Sequence, residues 1–161
     1  MSILKAFIDG YKEGLDKQVP IHECVSMLEK LFKQFDVNLS EVKIDDSHTW
    51  WIERENSGLY VKIDENEILE CPTLEVTSPI LKLPARNILP FYRKCLELNS
   101  ILVGCAITVC EDRILITSER SLRGLDYQEV EDMVVSVASF ADSVIEEVSE
   151  EFSAKIFSIE S

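Results

Sequence analysis

Apolar residues recur at helical spacing in four places along the chain. Ile3, Leu4, Phe7, Ile8, Tyr11 and Leu15 predict a first helix over about 3–16, loosened by Gly10 and Gly14. Pro20 opens a second, with Ile21, Cys24, Val25, Leu28, Leu31, Phe32 and Phe35 on one stripe and an end near Asp36. A third is predicted from Ile88. Asn87 is its cap, Pro90 sits in its first turn, Leu89, Tyr92, Cys95 and Leu96 form its buried face, and Asn99 is its left-handed C-terminal residue. The last begins at a capping box of Asp126 and Glu129 and carries an apolar stripe from Val130 to Phe152.

Between these helices the period falls to two. HTWWIERE, from His48 to Glu55, has strand composition, and Asn56-Ser57-Gly58 reads as a turn. Leu59, Val61 and Ile63 then alternate with polar neighbours, followed by Ile68-Leu69 and Leu74-Glu75-Val76. Pro72 and Pro79 argue against a central place for these later strands. Val103 to Val109 and Arg113 to Thr117 predict a hairpin around Glu111-Asp112. Clustered antiparallel strands separated by helices indicate an α+β fold with a sheet of about five strands. The length of 161 residues fits one domain, 1–161, with an N-terminal helical extension over 1–18 and a core over 21–152.

Strand alternation sorts the aromatic residues. Trp50 with Ile52 points inward and Trp51 outward. Tyr60 is outward, as is Leu115 between inward Ile114 and Ile116. An outer face carrying Trp51, Tyr60, Ala106 and Leu115 is either an interface or a second buried face covered by the protein's own helices.

Charge narrows the partners. The formal charge is −14, and Lys155 is the only base from Asp126 onward. Such a surface repels phosphate, which argues against nucleic acid and anionic membrane; the charge reads first as a means of solubility and second as a surface for a basic protein partner. MSILKAFIDGYKEGLDKQ has no apolar run of signal-peptide length, and no segment approaches a membrane span. The expectation is a cytoplasmic protein with reduced thiols.

Chemistry is not evident in the five cysteines. There is no CxxC, and Cys105 and Cys110, five apart, face opposite sides of a continuous strand. Cys105 shares a face with Val103, Ile107 and Val109 and reads as core. His22 and Cys24 diverge by about 200° on a helix. Gly104 and Gly124 lack the spacing of a phosphate-binding loop. These observations assign no catalytic residue, no metal and no cofactor.

LKLPARNILPFYRKCLELNSILVGCAITVCEDRILITSERSLRGLDYQEVEDMVVSVASFADSVIEEV, from Leu81 to Val148, resembles the C-terminal half of the YbjN-like family, which is grouped by fold with the type III secretion chaperones. The shared pattern is a helix ending in Leu98-Asn99, a hairpin with an acidic turn, the Leu122 and Leu125-Asp126 segment and a long closing helix. The helix over 21–36 and the strands over 48–83 fit the same order, so the likeness spans roughly 21–150. It implies a twisted antiparallel sheet packed against helices, usually in a homodimer. It also implies a non-enzymatic, chaperone-like or regulatory protein of the sensory-transduction regulator type, which buries apolar segments of a partner protein. Trp51, Tyr60 and Leu115 are the candidate partner-binding or dimer-interface residues. The rival expectations are a small enzyme using a reactive cysteine or carboxylates, and a structural subunit of a larger assembly.

Overall fold

The protein is described by a computed structural model over residues 18–44, 47–55 and 57–157. The helix expected over 3–16 therefore lies outside the described residues. The elements run in the order α1 (Ile21–Lys33), β1 (Thr49–Ile52), β2 (Leu59–Asn66), β3 (Cys71–Lys82), α2 (Ile88–Asn99), β4 (Ala106–Cys110), β5 (Arg113–Ser121) and α3 (Tyr127–Phe152). The strands form one antiparallel sheet in the order β1-β2-β3-β5-β4, and the fold is α+β.

Register follows the alternation of apolar residues. Trp50 faces Val61, Val61 faces Val76, and Ile63 faces Leu74, so one side of the sheet is apolar across β1, β2 and the first half of β3. Leu81 and Ile114 continue it, as do Ile116 and Ile107. A slip of one residue would turn this whole set to the other face, which fixes the pairing. α3 lies along β3 and β5, α2 meets β4, and α1 packs on α3. The stripe predicted for α3 is buried from Val130 to Val148.

The capping box at α3 is present in both directions. Glu129 N–H donates to Asp126 Oδ1 at 2.9 Å, and Asp126 N–H donates to Glu129 Oε2 at 3.0 Å. Two salient contacts hold α2 on the far end of α3. Phe91 meets Phe152 edge to face with ring centroids 5.3 Å apart, and Lys94 Nζ lies 2.6 Å from Glu147 Oε1.

Several local expectations are corrected. β3 is a single central strand of twelve residues that contains both prolines. Pro72 precedes the first pairing with β5, at Thr73. Pro79 comes after the last pairing with β2, at Thr77, and borders a bulge. Each proline thus sits where one neighbour is missing, and no ladder bond is lost. Beyond β2 that vacancy is filled by the C-terminal tail. The chain turns at Ser153 in a left-handed conformation, and Lys82 N–H then donates to Lys155 O while Phe157 N–H donates to Ile80 O.

α2 is rotated from the expected face. Phe91, Cys95 and Leu98 are buried, whereas Leu89 and Leu96 are 82% and 69% exposed. Asn87 is left-handed and makes no side-chain cap; its carbonyl accepts from Phe91 N–H instead. Val103 does not join the strand, because the chain turns at Gly104 with φ +71°; Val103 is left exposed and Cys105 half-buried. Val109 is exposed too, on the edge strand.

Asn99 is helical, and its side chain has a different task from the one expected. Its Oδ1 accepts from Ile107 N–H at 2.6 Å and its Nδ2 donates to Ile107 O at 3.3 Å. One amide thus occupies both backbone groups of Ile107 on the open side of β4, where an unpaired edge would template another strand. Asn99→Ala should lower unfolding free energy by about 1–2 kcal/mol in urea titration. The Ile107 amide should lose hydrogen-exchange protection in the same variant, while the amides of β2 keep theirs.

Candidate functional site

Every outward position on the sheet is set by the same alternation that fixes the core. Trp51 faces Tyr60, Tyr60 faces Thr77, Thr77 faces Thr117, and Thr117 faces Ala106, one row across all five strands. The Trp51 and Tyr60 rings are 4.4 Å apart between centroids. The Trp51 indole also lies against Gly58, where a Cβ would run into the ring. Glycine is needed there for close approach. Leu115 is outward as well, opposite Pro79 and Thr108. It is separated from the aromatic pair by β3, so the structure joins Trp51 to Tyr60 and sets Leu115 apart on the same face. All three are half-buried.

The middle of this face is polar but internally satisfied. Thr108 and Thr117 hydroxyls are 3.2 Å apart, Thr77 Oγ1 lies 3.4 Å from Thr117 Oγ1, and it donates to Glu75 Oε1 at 3.0 Å. Beside Tyr60, a hollow of about 220 Å³ is lined by Thr49, Lys62, Glu75 and Thr77.

Two apolar surfaces were not foreseen. The first is a groove of about 440 Å³ between the end of α1, β1 and α3, lined by Phe32, Phe35, Val37, Ile52, Leu59, Val134, Val135 and Ala138. Phe35, expected on the buried stripe, lies just past α1 and is 58% exposed. The groove is walled by Arg54, whose guanidinium donates to Asp142 Oδ2 at 2.6 Å and to Ala138 O at 3.2 Å. The second is the open side of α2 and the turn after it, where Leu89, Leu96, Ile101 and Val103 are each at least 68% exposed. Leu89 and Leu96, seven apart, share a helix face, a signal visible in the spacing but assigned to the core.

The remaining candidates are dispersed. His22 and His48 line one cleft of about 660 Å³ with Glu29 and Lys43. Among the described residues no three His, Cys, Asp or Glu side chains are grouped to hold a metal ion. Nor is any helix among them long and apolar enough to cross a membrane. The five thiols are free. Burial pushes Cys24 from 9.0 up to about 12 and raises Cys95 and Cys105 as well. Only Cys110 is exposed.

Neither a protein-family model nor a curated protein matches the sequence. Solved structures do match the fold. The chain is similar to a protein of the heterodimeric ExoU–SpcU complex from the type III secretion system of Pseudomonas aeruginosa, with 13% identity and TM-score 0.57, over 76% of this chain and 98% of that one. It is similar to a protein of the HopA1–SchA chaperone–effector complex, with 14% identity and TM-score 0.54, over 80% and 98%. It is also similar to YbjN from E. coli, with 10% identity and TM-score 0.50, over 83% and 96%. The architecture is the one that the sequence resemblance implies, shared by type III secretion chaperones and YbjN.

Thiol reactivity checks the chemical side of this geometry. Iodoacetamide at neutral pH should label Cys110 first and Cys24 only on unfolding, read by peptide mass spectrometry. Faster labelling of any other thiol would point to an activated nucleophile. Because Cys24 ionises at lower pH in the unfolded chain, its burial contributes stability that is whole below about pH 9 and declines towards pH 12. Cys24→Ala should flatten that alkaline decline.

Proposed function

We propose that this chain is a non-enzymatic, chaperone-like or regulatory protein of the cytoplasm, which pairs with a second copy of itself and binds apolar segments of a partner protein. The observation that carries the reading is the exposed apolar set Leu89, Leu96, Ile101 and Val103. Apolar surface left open in this way marks an interaction site. A second copy is its natural occupant. A self-complementary contact needs only one patch repeated about a two-fold axis, and this one runs along one face of α2 into the turn after it. The neighbouring Arg93–Glu97 pair, at 2.8 Å, supplies a polar rim to such an interface.

The partner-binding residues are Trp51, Tyr60 and Leu115. Stacked rings on a sheet face give a large apolar contact with few rotatable bonds. An extended segment can lie across the strands there without needing an edge. That matters because both edges are partly occupied. Asn99 holds Ile107 on β4, and on β1 Trp51 N–H donates to Val42 O while Ile44 N–H donates to Thr49 O. Strand addition at an open edge is therefore the less favoured route. The solved complexes to which the fold is similar support a protein client as the partner class.

Two outcomes test these assignments separately. Light scattering of the purified chain should give twice the chain mass, and Leu96→Glu should give a folded monomer. A wild-type monomer at micromolar concentration contradicts self-association through α2. Trp51→Ala should weaken partner binding by about 2 kcal/mol or more in calorimetry while leaving the mass unchanged. Unaltered affinity contradicts the outward-face assignment.

A further inference from the structure

The groove beside Phe35 lies on the helix side of the sheet and belongs to neither the outward face nor the open side of α2. Its floor is buried: Ile52 and Leu59, paired across β1 and β2, with Val134 of α3 beside them. Its rim is open, with the large apolar side chains of Phe35 and Val135 exposed to solvent. The exposure of Phe35 is built into the end of α1. Phe35 N–H donates to Phe32 O at 3.0 Å, Asp36 is left-handed with φ 57°, and Val37 N–H returns to Phe32 O at 3.0 Å. This closing turn satisfies carbonyls at the helix end and fixes where Phe35 and Val37 stand. One end of the groove is walled by Arg54, whose bonds to Asp142 Oδ2 and Ala138 O neutralise its charge within the wall. The rest of the rim is acidic. Asp36 stands between Phe35 and Val37, Glu53 follows Ile52, and Glu131 lies one turn before Val135 on α3. Lys33 is a cation nearby, and it lines the next hollow with Glu29 and Asp36.

We propose that this groove binds a short amphipathic helix of a partner protein, with apolar residues turned into the groove and lysine or arginine along its flank. The inference deepens the reading of the chain as a binder of apolar partner segments and rests on it, though not on the outward face. A groove lined by apolar side chains calls for an occupant whose own backbone bonds are already made. A helix meets this condition, whereas an extended segment leaves its amides to be satisfied against Phe35, Ile52 and Val135. Length agrees as well. From Glu131 to Asp142, α3 spans about 16 Å, which matches about three turns of a second helix. Charge selects the occupant. A second copy also carries −14 and would set its own acids against Asp36, Glu53 and Glu131, whereas lysine or arginine is attracted there. These charges are exposed, so they steer encounter and select the partner, and salt screens them.

The test uses the full chain and a synthetic leucine–lysine peptide of about fourteen residues, with leucine at helical spacing. A leucine–glutamate peptide of the same pattern is the comparison. The lysine peptide should shift the amide resonances of Phe35, Ile52 and Val135, and the glutamate peptide should bind at least about tenfold more weakly. Phe35→Ala and Val135→Arg should each weaken the lysine peptide about tenfold with the urea midpoint kept. Glu53→Lys should weaken it severalfold and flatten its salt dependence. Trp51→Ala and Leu96→Glu should leave it unchanged. Shifts confined to Tyr60 and Leu115 or to α2, or equal affinity for the two peptides, overturn the proposal. So do concentration-dependent shifts at Phe35 and Val135 without peptide, which assign the groove to a second copy. A partner protein whose affinity falls with Trp51→Ala but not with Phe35→Ala or Val135→Arg keeps the protein-binding reading and overturns the groove. Peptide bound in the groove, with partner affinity unmoved by all three substitutions, overturns the reading and leaves the groove's preference standing.

Discussion

The pairing of β3 with strands on both sides is the constraint on which the other features depend. Its inward residues Leu74, Val76, Ile80 and Leu81 are fully buried, and they meet β2, β5 and the long helix α3 together. Burying side chains of this size is worth roughly 1.5–3 kcal/mol each. That is enough for the register to be fixed by β3 alone. Once it is fixed, every outward position follows, including the placement of Trp51 against Tyr60 on strands that do not themselves touch β5. The tail after α3 pairs with Ile80 and Lys82 where β2 has ended, so the same strand also anchors the C-terminus.

Among the described residues the helices cover one side of the sheet, and the other side is managed by its own side chains. Here the threonine ladder of Thr77, Thr108 and Thr117 keeps the centre of that side polar, and the aromatic pair concentrates its apolar surface near β1. Edge pairing is suppressed on both flanks, by Asn99 on β4 and by Val42–Ile44 on β1. Among the described residues, the apolar surfaces lie on faces and not on edges: the aromatic pair on the outward side of the sheet, the groove beside Phe35 and the open side of α2. The formal charge of −14 favours solubility.

Much of this was legible in the sequence where periodicity is long and unbroken. The stripe of α3 and its capping box at Asp126 and Glu129 appear as read, and the inward and outward assignments of Trp50, Trp51, Tyr60 and Leu115 agree with the register. The failures fall where a local signal met a tertiary exception. Proline argued against a central β3, because spacing does not reveal that β2 stops short of Pro79. The face of α2 was misjudged because Leu89 and Leu96 are apolar at helical spacing, and spacing alone does not separate a core from an interface. Asn99 looked like a helix terminator, since its grip on Ile107 depends on a strand eight residues away. The groove beside Phe35 needed Val135, which lies off the main stripe, to be placed next to α1.

The most direct test of the outward face as a protein-binding surface is photo-cross-linking from position 60. With benzoyl-phenylalanine in place of Tyr60, a cross-link to a partner protein is expected when the partner is present. The same probe in place of Glu146, exposed on α3, should give none. Cross-links to a partner from position 146 and none from position 60 would contradict the account.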